Sequence, residues 1–93
     1  MPERLSDSDV EQKLKDLNGW TRTGDAIEKE FKFKDFGGAL EFVNQVGAKA
    51  EEMDHHPDLF LHDWNQVKIT LSTHSAKGLT NNDIELAGRI EAL

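Results

Sequence analysis

Three of the four histidines in this 93-residue chain fall in two short segments, 51–57 and 72–74. Imidazole is the side chain whose ordinary pKa lies near neutrality, so it gives or takes a proton at working pH. Histidines with carboxylates nearby are what general acid–base chemistry requires. We therefore take His55, His56 and His74 as candidate catalytic residues.

The first segment reads Glu-Glu-Met-Asp-His-His-Pro. Glu51 precedes His55 by four residues, so on a helix the two side chains share a face. This spacing predicts that Glu51 is the carboxylate partner of His55 and holds it protonated. An exposed Glu–His pair of little energetic value fits the same spacing equally well.

The two adjacent histidines are expected to point in different directions. Pro57 disfavours helical backbone at His56, so the helix should end near Asp54 or His55 and His56 should be extended. Such a corner lines two sides of a small pocket, although a solvent-exposed polar corner is the simpler interpretation.

The second segment, Ser72-Thr73-His74, follows a predicted strand. Its hydroxyls and backbone amides suit a polar heterocycle, and an ordinary turn is the simpler alternative. Asp83 lies three residues after Thr80, which predicts a carboxylate that caps or supports the last helix.

Three further residues receive structural interpretations. His62 stands apart from the other histidines, and we interpret it as a surface residue. Trp20 and Trp64 are expected to be core or subunit-contact residues, because an indole buries a large apolar area.

A metal site built from the histidines and neighbouring aspartates is a further alternative. The histidine spacing matches no common metal motif, and adjacent histidines diverge too strongly to form a good ligand pair. The chain has no cysteine, so thiolate ligands and disulfides are excluded. We expect neither a metal nor a bound cofactor.

Composition limits the class of protein. Hydrophobic residues make up 37% and charged residues 31%, which predicts one globular domain over residues 1–93. The formal charge of −7 predicts no direct binding to nucleic acid or to anionic membranes. No apolar run reaches membrane-spanning length, and Met-Pro-Glu-Arg does not resemble a signal peptide. The absence of cysteine fits a reducing, cytoplasmic location.

The periodicity of apolar residues predicts the order helix, strand, strand, helix, strand, strand, helix. Ser8 and Glu11 have capping-box spacing at the start of the first helix. The predicted helices are 8–18, 36–53 and a last one from Thr80, and the predicted strands are 20–22, 26–33, 59–63 and 65–72.

Each helix carries one apolar stripe, and the last predicted strand alternates between apolar and polar residues. We therefore predict an α+β fold with a four-stranded antiparallel sheet and three helices packed on one face. The stripe of the second helix is Phe36, Leu40, Val43, Val46, Ala50 and Met53, widened by Ala39 and Phe42. The stripe of the last helix is Ile84, Ala87 and Ile90.

Taken together, the motifs resemble the pterin-4a-carbinolamine dehydratase family, also called dimerisation cofactors of a homeodomain transcription factor. The resemblance runs in order from Trp20 to the last helix. It is carried chiefly by Glu51-x-x-Asp54-His-His-Pro57, by Trp64-Asn-x-Val-x-Ile-Thr-Leu-Ser-Thr-His74, and by Gly78-Leu79 with Asp83-Ile-x-Leu-Ala87.

The resemblance implies loss of water from 4a-hydroxytetrahydropterin to give quinonoid dihydropterin, which recycles the cofactor of aromatic amino acid hydroxylases. It implies histidine acid–base catalysis without metal or cofactor, and leaves open which histidine is the acid and which the base. The implied pterin contacts are Glu51, Asp54, His55, His56, Ser72, Thr73, His74 and Ser75.

The resemblance also implies self-association into a dimer or tetramer. It carries an alternative function of a different class, a non-catalytic interaction module that binds the dimerisation segment of a transcription factor through its helices. That function needs the fold and the helix surfaces but not the histidines.

Overall fold

The computed structural model describes residues 3–93. The helices are α1 (Asp7–Leu14), α2 (Phe36–Met53) and α3 (Asn81–Glu91), and the strands are β1 (Thr21–Thr23), β2 (Ala26–Lys32), β3 (Asp58–His62) and β4 (Gln66–Leu71), with a 3₁₀ turn at His74–Ala76. The strands form one antiparallel sheet in the order β1-β2-β4-β3. The predicted α+β fold and its element order are confirmed.

Alternation along β4 creates the two sides of the sheet. Val67, Ile69 and Leu71 are fully buried, whereas Lys68 and Thr70 lie on the opposite side and are partly exposed. The buried side joins residues of all three helices in one core, including Val10, Val46 and Leu86. One face of the sheet therefore carries the helices, and the other stays open.

The start of the first helix differs from the prediction. Ser6, not Ser8, is the N-cap, and its side chain accepts a hydrogen bond from the amide of Asp9 at 3.1 Å. Ser8 lies inside the helix, so the predicted Ser8–Glu11 capping box is wrong. Starting at Asp7 places two aspartates in the first turn, where they complement the helix dipole. The helix also ends at Leu14, earlier than predicted.

The bounds of α2 are those predicted, but its buried face is rotated. Ala39 and Phe42, expected only at the edge of the stripe, are buried with Val46 and Ala50. Phe36 and Leu40 are exposed. The sequence pattern contained two adjacent apolar faces, and packing on the sheet buries only one of them. The other strands and α3 depart from the predicted bounds by one or two residues.

The two tryptophans have opposite environments. Trp20 is buried, and its indole N–H donates to Glu91 at 2.8 Å. Trp64 is exposed in the β3–β4 turn, where Asp63 and Trp64 both have positive φ. A turn with two left-handed residues matches the twist of a hairpin. Thus Trp20 is a core residue as expected, and Trp64 is available at the surface.

Candidate active site

The end of α2 sets the directions of the two adjacent histidines. Asp54 closes the helix in the left-handed conformation, with φ of 50°, and the amide of His55 donates to the carbonyl of Ala50 at 3.1 Å. This closure resembles the left-handed C-caps that end many helices. The chain then turns into β3, so His55 and His56 leave the corner differently and contact different carboxylates.

His55 contacts a carboxylate that lies far away in the sequence. Its Nε2 is 2.6 Å from Oδ1 of Asp83, which is in the first turn of α3. Asp83 is completely buried and His55 is largely buried. A charge-assisted hydrogen bond of this length, shielded from water, fixes the orientation of the imidazole ring.

The second carboxylate oxygen of Asp83 also accepts hydrogen bonds. Oδ2 accepts from the amide of Thr80 at 3.0 Å and from the hydroxyl of Thr73 at 2.8 Å. The hydroxyls of Thr73 and Thr80 lie 2.9 Å apart. These donors replace the water that a buried carboxylate loses, and Thr80 with Asp83 forms the capping box of α3.

His56 rather than His55 is the partner of Glu51. Nε2 of His56 lies 2.7 Å from Oε1 of Glu51, and both side chains are exposed. The predicted Glu51–His55 pair is therefore wrong. The left-handed residue Asp54 interrupts the helical spacing between Glu51 and His55, and Asp83 already occupies the Nε2 of His55.

His74 begins the 3₁₀ turn that follows β4, and its side chain is exposed. It comes directly after Thr73, whose hydroxyl contacts the same carboxylate as His55. Asp58 pairs with Thr70 where β3 begins and β4 ends. The segment before β3 and the segment after β4 therefore leave the sheet at the same end. His74 therefore directly follows a member of the hydrogen-bonded set of His55, Thr73, Thr80 and Asp83, here called the His55 group. Within residues 3–93 no hydrogen bond joins His74 to another histidine.

The remaining predicted contact residues do not join the hydrogen-bonded group. Asp54 caps α2 and is exposed, Ser72 is partly buried, and Ser75 is exposed in the 3₁₀ turn. Thr73 is buried, and its hydroxyl faces Asp83 rather than the surface.

Sequence reasoning missed two parts of this arrangement. It did not assign Thr80 to the site, and it did not pair Asp83 with His55. The capping-box spacing of Thr80 and Asp83 located that carboxylate at the start of α3. No spacing rule connects it to a histidine 28 positions away.

His62 lies at the other end of β3, opposite Gln66, on the open face of the sheet. Its ring nitrogens contact Glu30 at 2.5 Å and Asp63 at 3.1 Å, and the ring stacks on Phe60. These contacts lie at the opposite end of β3 from the corner that carries His55 and His56.

A metal centre and a larger cleft are the two other kinds of site that bear on this assignment. Within residues 3–93, no three His, Asp or Glu side chains lie together in an arrangement that would hold a metal ion. A cleft of about 320 Å³ opens between β2, α2 and the end of α3, lined by Phe31, Phe33, Phe42 and Glu41 among others. Its lining contains no histidine, so it lacks a group that exchanges protons readily near neutral pH.

Across the part of the chain that the structure describes, no helix is both long and apolar enough to cross a membrane.

The fold and the site together define the class of protein. It is an α+β domain with a buried His–Asp pair at the end of a helix. The sequence profile described as pterin 4 alpha carbinolamine dehydratase matches residues 3–93. The chain belongs to this family.

Relatives from distant organisms agree in length as well as sequence. A protein of Thermosynechococcus vestitus is 47% identical over 93 residues, covering 100% of this chain and 97% of that protein. One of Sulfolobus acidocaldarius is 40% identical over 90 residues, covering 97% and 98%. Both carry the provisional name pterin-4-alpha-carbinolamine dehydratase.

Solved structures give the same fold. A Brucella melitensis protein described as a transcriptional coactivator/pterin dehydratase superposes with a TM-score of 0.92 at 41% identity, covering 97% of each chain. A pterin dehydratase-like protein described as a RuBisCO assembly factor in the alpha-carboxysome has a TM-score of 0.64, covering 78% of this chain and 83% of its own. At 22% identity, the second likeness concerns the fold alone.

Proposed function

We propose that this protein is a dehydratase that removes water from 4a-hydroxytetrahydropterin and releases quinonoid dihydropterin. The observation that carries the proposal is the buried His55–Asp83 pair, joined through Thr73 to the segment that bears His74. Family membership and the names of the relatives support the pterin substrate. The product is the form from which a hydroxylase cofactor is recycled.

The reaction needs two proton transfers. Hydroxide is a poor leaving group, so an acid protonates the 4a-oxygen while the carbon–oxygen bond breaks and water departs. The lone pair of the ring nitrogen forms the new double bond, and a base takes the proton from that nitrogen. Positioned proton transfer of this kind contributes about 10²–10⁴-fold.

We assign the two proton transfers to His55 and His74. His56, supported by Glu51, contacts the pterin ring from the other side of the corner, and its exposure leaves it accessible to a substrate. Asp54, Ser72 and Ser75 supply further polar contacts at the edge of the ring. In this assignment the Thr73 hydroxyl supports Asp83 and does not contact substrate.

Turnover of 4a-hydroxytetrahydropterin by the purified protein tests the proposal. His55→Ala and His74→Ala should each lower kcat by about 10²-fold or more if each transfers a proton. His62→Ala is the matched control and should leave turnover near that of the wild type. A wild-type protein without turnover would refute the dehydratase, and loss of turnover in a chelator would refute metal-free catalysis.

We propose further that the chain associates with itself, as a dimer or tetramer. Exposed Phe36 and Leu40 on α2 and exposed Phe60 on the edge strand β3 support this, because an isolated protein would leave these apolar side chains in water. Light scattering at micromolar concentration tests the proposal, and a monomer mass would contradict it.

The second candidate function is that of an interaction module for a transcription factor. The exposed apolar pair Phe36 and Leu40 favours it, since a helix–helix complex uses such a surface. The coactivator description of the Brucella melitensis protein points the same way. Replacing both residues by Gln should abolish partner binding and preserve turnover, whereas His55→Ala should do the opposite.

A further inference from the structure

The two ring nitrogens of His55 have different surroundings. Nε2 is 2.6 Å from Oδ1 of Asp83. Nδ1 has no hydrogen-bond partner among residues 3–93, and no buried side-chain nitrogen or oxygen in that range lacks a partner. Nδ1 is therefore not sealed inside the protein and keeps some exposure to solvent.

The orientation of Asp83 is set by the start of α3. Oδ2 accepts from the amide of Thr80, a group that only donates. The hydroxyl of Thr73 donates to the same oxygen, so the Thr80 hydroxyl is left to donate to Thr73. These contacts hold Oδ2 in place as an acceptor and direct Oδ1 at the imidazole.

This geometry fixes the tautomer of His55. An ionised carboxylate only accepts hydrogen bonds, so Nε2 must carry a hydrogen. In the neutral ring Nδ1 is then the free base, and in the imidazolium Nδ1–H is the proton that leaves. A carboxylate that orients a histidine and selects its tautomer is a recurring device at active sites.

We propose that Asp83, held by Thr73 and Thr80, is a positioning residue that keeps hydrogen on Nε2 of His55, so that His55 exchanges its catalytic proton through Nδ1. This inference rests on the proposed dehydratase function. It holds whether His55 acts as the acid or as the base, because Nε2 keeps its hydrogen in both states.

Asp83→Asn gives the decisive test. The amides of Thr80 and the asparagine both donate, so the asparagine oxygen must occupy the position of Oδ2, and its NH₂ group must face His55. Nε2 then has to accept, and the hydrogen moves to Nδ1. Imidazole ¹⁵N spectra, recorded at a pH where neutral imidazole predominates, should show Nε2–H in the wild type and Nδ1–H in the variant.

Turnover should follow the tautomer. With Nδ1 blocked in the neutral ring, Asp83→Asn should lower kcat by about 10²-fold or more, with a much smaller change in KM. An Nδ1–H tautomer in the wild type, or one tautomer in both proteins, would overturn the inference. So would a variant that switches tautomer and keeps the wild-type kcat.

Thr73 supplies a milder pair of variants in case Asp83→Asn does not fold. Thr73→Val removes the hydroxyl at nearly constant shape, and kcat should fall by about 10-fold or more, the scale found for residues that orient an active group through another. Thr73→Ser restores the hydroxyl and should recover most of kcat. Equal kcat in both variants would contradict a role for the hydroxyl in positioning.

The spectra separate failure of this inference from failure of the proposed function. They need no substrate, so a tautomer switch without wild-type turnover would support the positioning of His55 and reject the dehydratase. Normal wild-type turnover without a switch would reject the positioning and leave the dehydratase intact.

Discussion

The corner at the end of α2 carries two histidine–carboxylate pairs of nearly equal length but opposite environment. His55 lies 2.6 Å from Asp83, with side-chain exposures of 11% and 0%. His56 lies 2.7 Å from Glu51, with exposures of 57% and 77%. Two adjacent histidines thus make contacts of similar length, one shielded from water and one exposed to it. The distance alone therefore does not reveal the strength of either contact.

The difference lies in what else holds each carboxylate. Asp83 accepts three hydrogen bonds and has no contact with water, so losing any donor leaves a buried charge uncompensated. Glu51 sits on an exposed helical turn, where water replaces a lost partner at little cost. The buried pair is suited to fixing a ring, and the exposed pair to adjusting to a ligand.

Replacing each carboxylate by alanine tests the comparison most strongly. Asp83→Ala should lower the free energy of unfolding by about 3–5 kcal/mol, because it leaves buried donors without a partner. Glu51→Ala should change it by less than about 1 kcal/mol. Chemical denaturation of both variants measures the two effects, and similar losses would show that burial does not distinguish the pairs.

Removal of a cap should have the next largest effect. Thr80→Ala deletes a buried hydroxyl that contacts Thr73 and the amide of Asn82, and should cost about 1–2 kcal/mol. Ser6→Ala deletes an exposed cap of α1 and should cost about 0.5–1 kcal/mol. Thermal unfolding of both variants checks the order, and a larger loss from Ser6→Ala would contradict it.

The third histidine–carboxylate pair tests whether the loss of stability on removing the carboxylate grows steadily with the burial of the pair. His62 and Glu30 have side-chain exposures of 23% and 44%, between those of the two corner pairs. Glu30→Gln should therefore lower the free energy of unfolding by about 0.5–1 kcal/mol, discounted for the water that still reaches the pair. A loss as large as that for Asp83→Ala would sink the ranking.

Salt should give the smallest and most selective effect. Double-mutant cycles at a fixed pH measure the coupling of each pair. Raising the salt concentration from about 0.1 M to 1 M should abolish the His56–Glu51 coupling, because exposed charges are screened. The His55–Asp83 coupling should persist, and equal sensitivity in the two pairs would remove the distinction.

Local patterns predicted the fold because local chemistry determines most of it. Alternation at Val67, Ile69 and Leu71 identified the buried side of β4, and Pro57 marked the end of α2. The rotated face of α2 was not predictable in the same way. Phe36 and Leu40 are as apolar as Ala39 and Phe42, and only packing against the sheet decides between them.

The site was predicted less completely, because its key contact is between distant segments. The histidines were identified from residue type, and Asp83 was identified as a capping or supporting residue. Pairing His55 with Asp83 required the three-dimensional arrangement of α2 against α3. Local spacing instead indicated Glu51 as the partner of His55. Because the chain makes a left-handed turn at Asp54, Glu51 contacts His56.

The location of the site along the chain has a consequence for folding. Every residue of the His55 group, together with His56 and His74, lies between Glu51 and Asp83, whereas the centre of the sheet pairs Ile27 with Leu71 across α2. Short loops close more readily than long ones, so contacts near in sequence form early and the β2–β4 pairing comes late. We therefore expect the β3–β4 hairpin and its flanking helix ends to assemble first during folding, with the β1–β2 hairpin docking onto them afterwards.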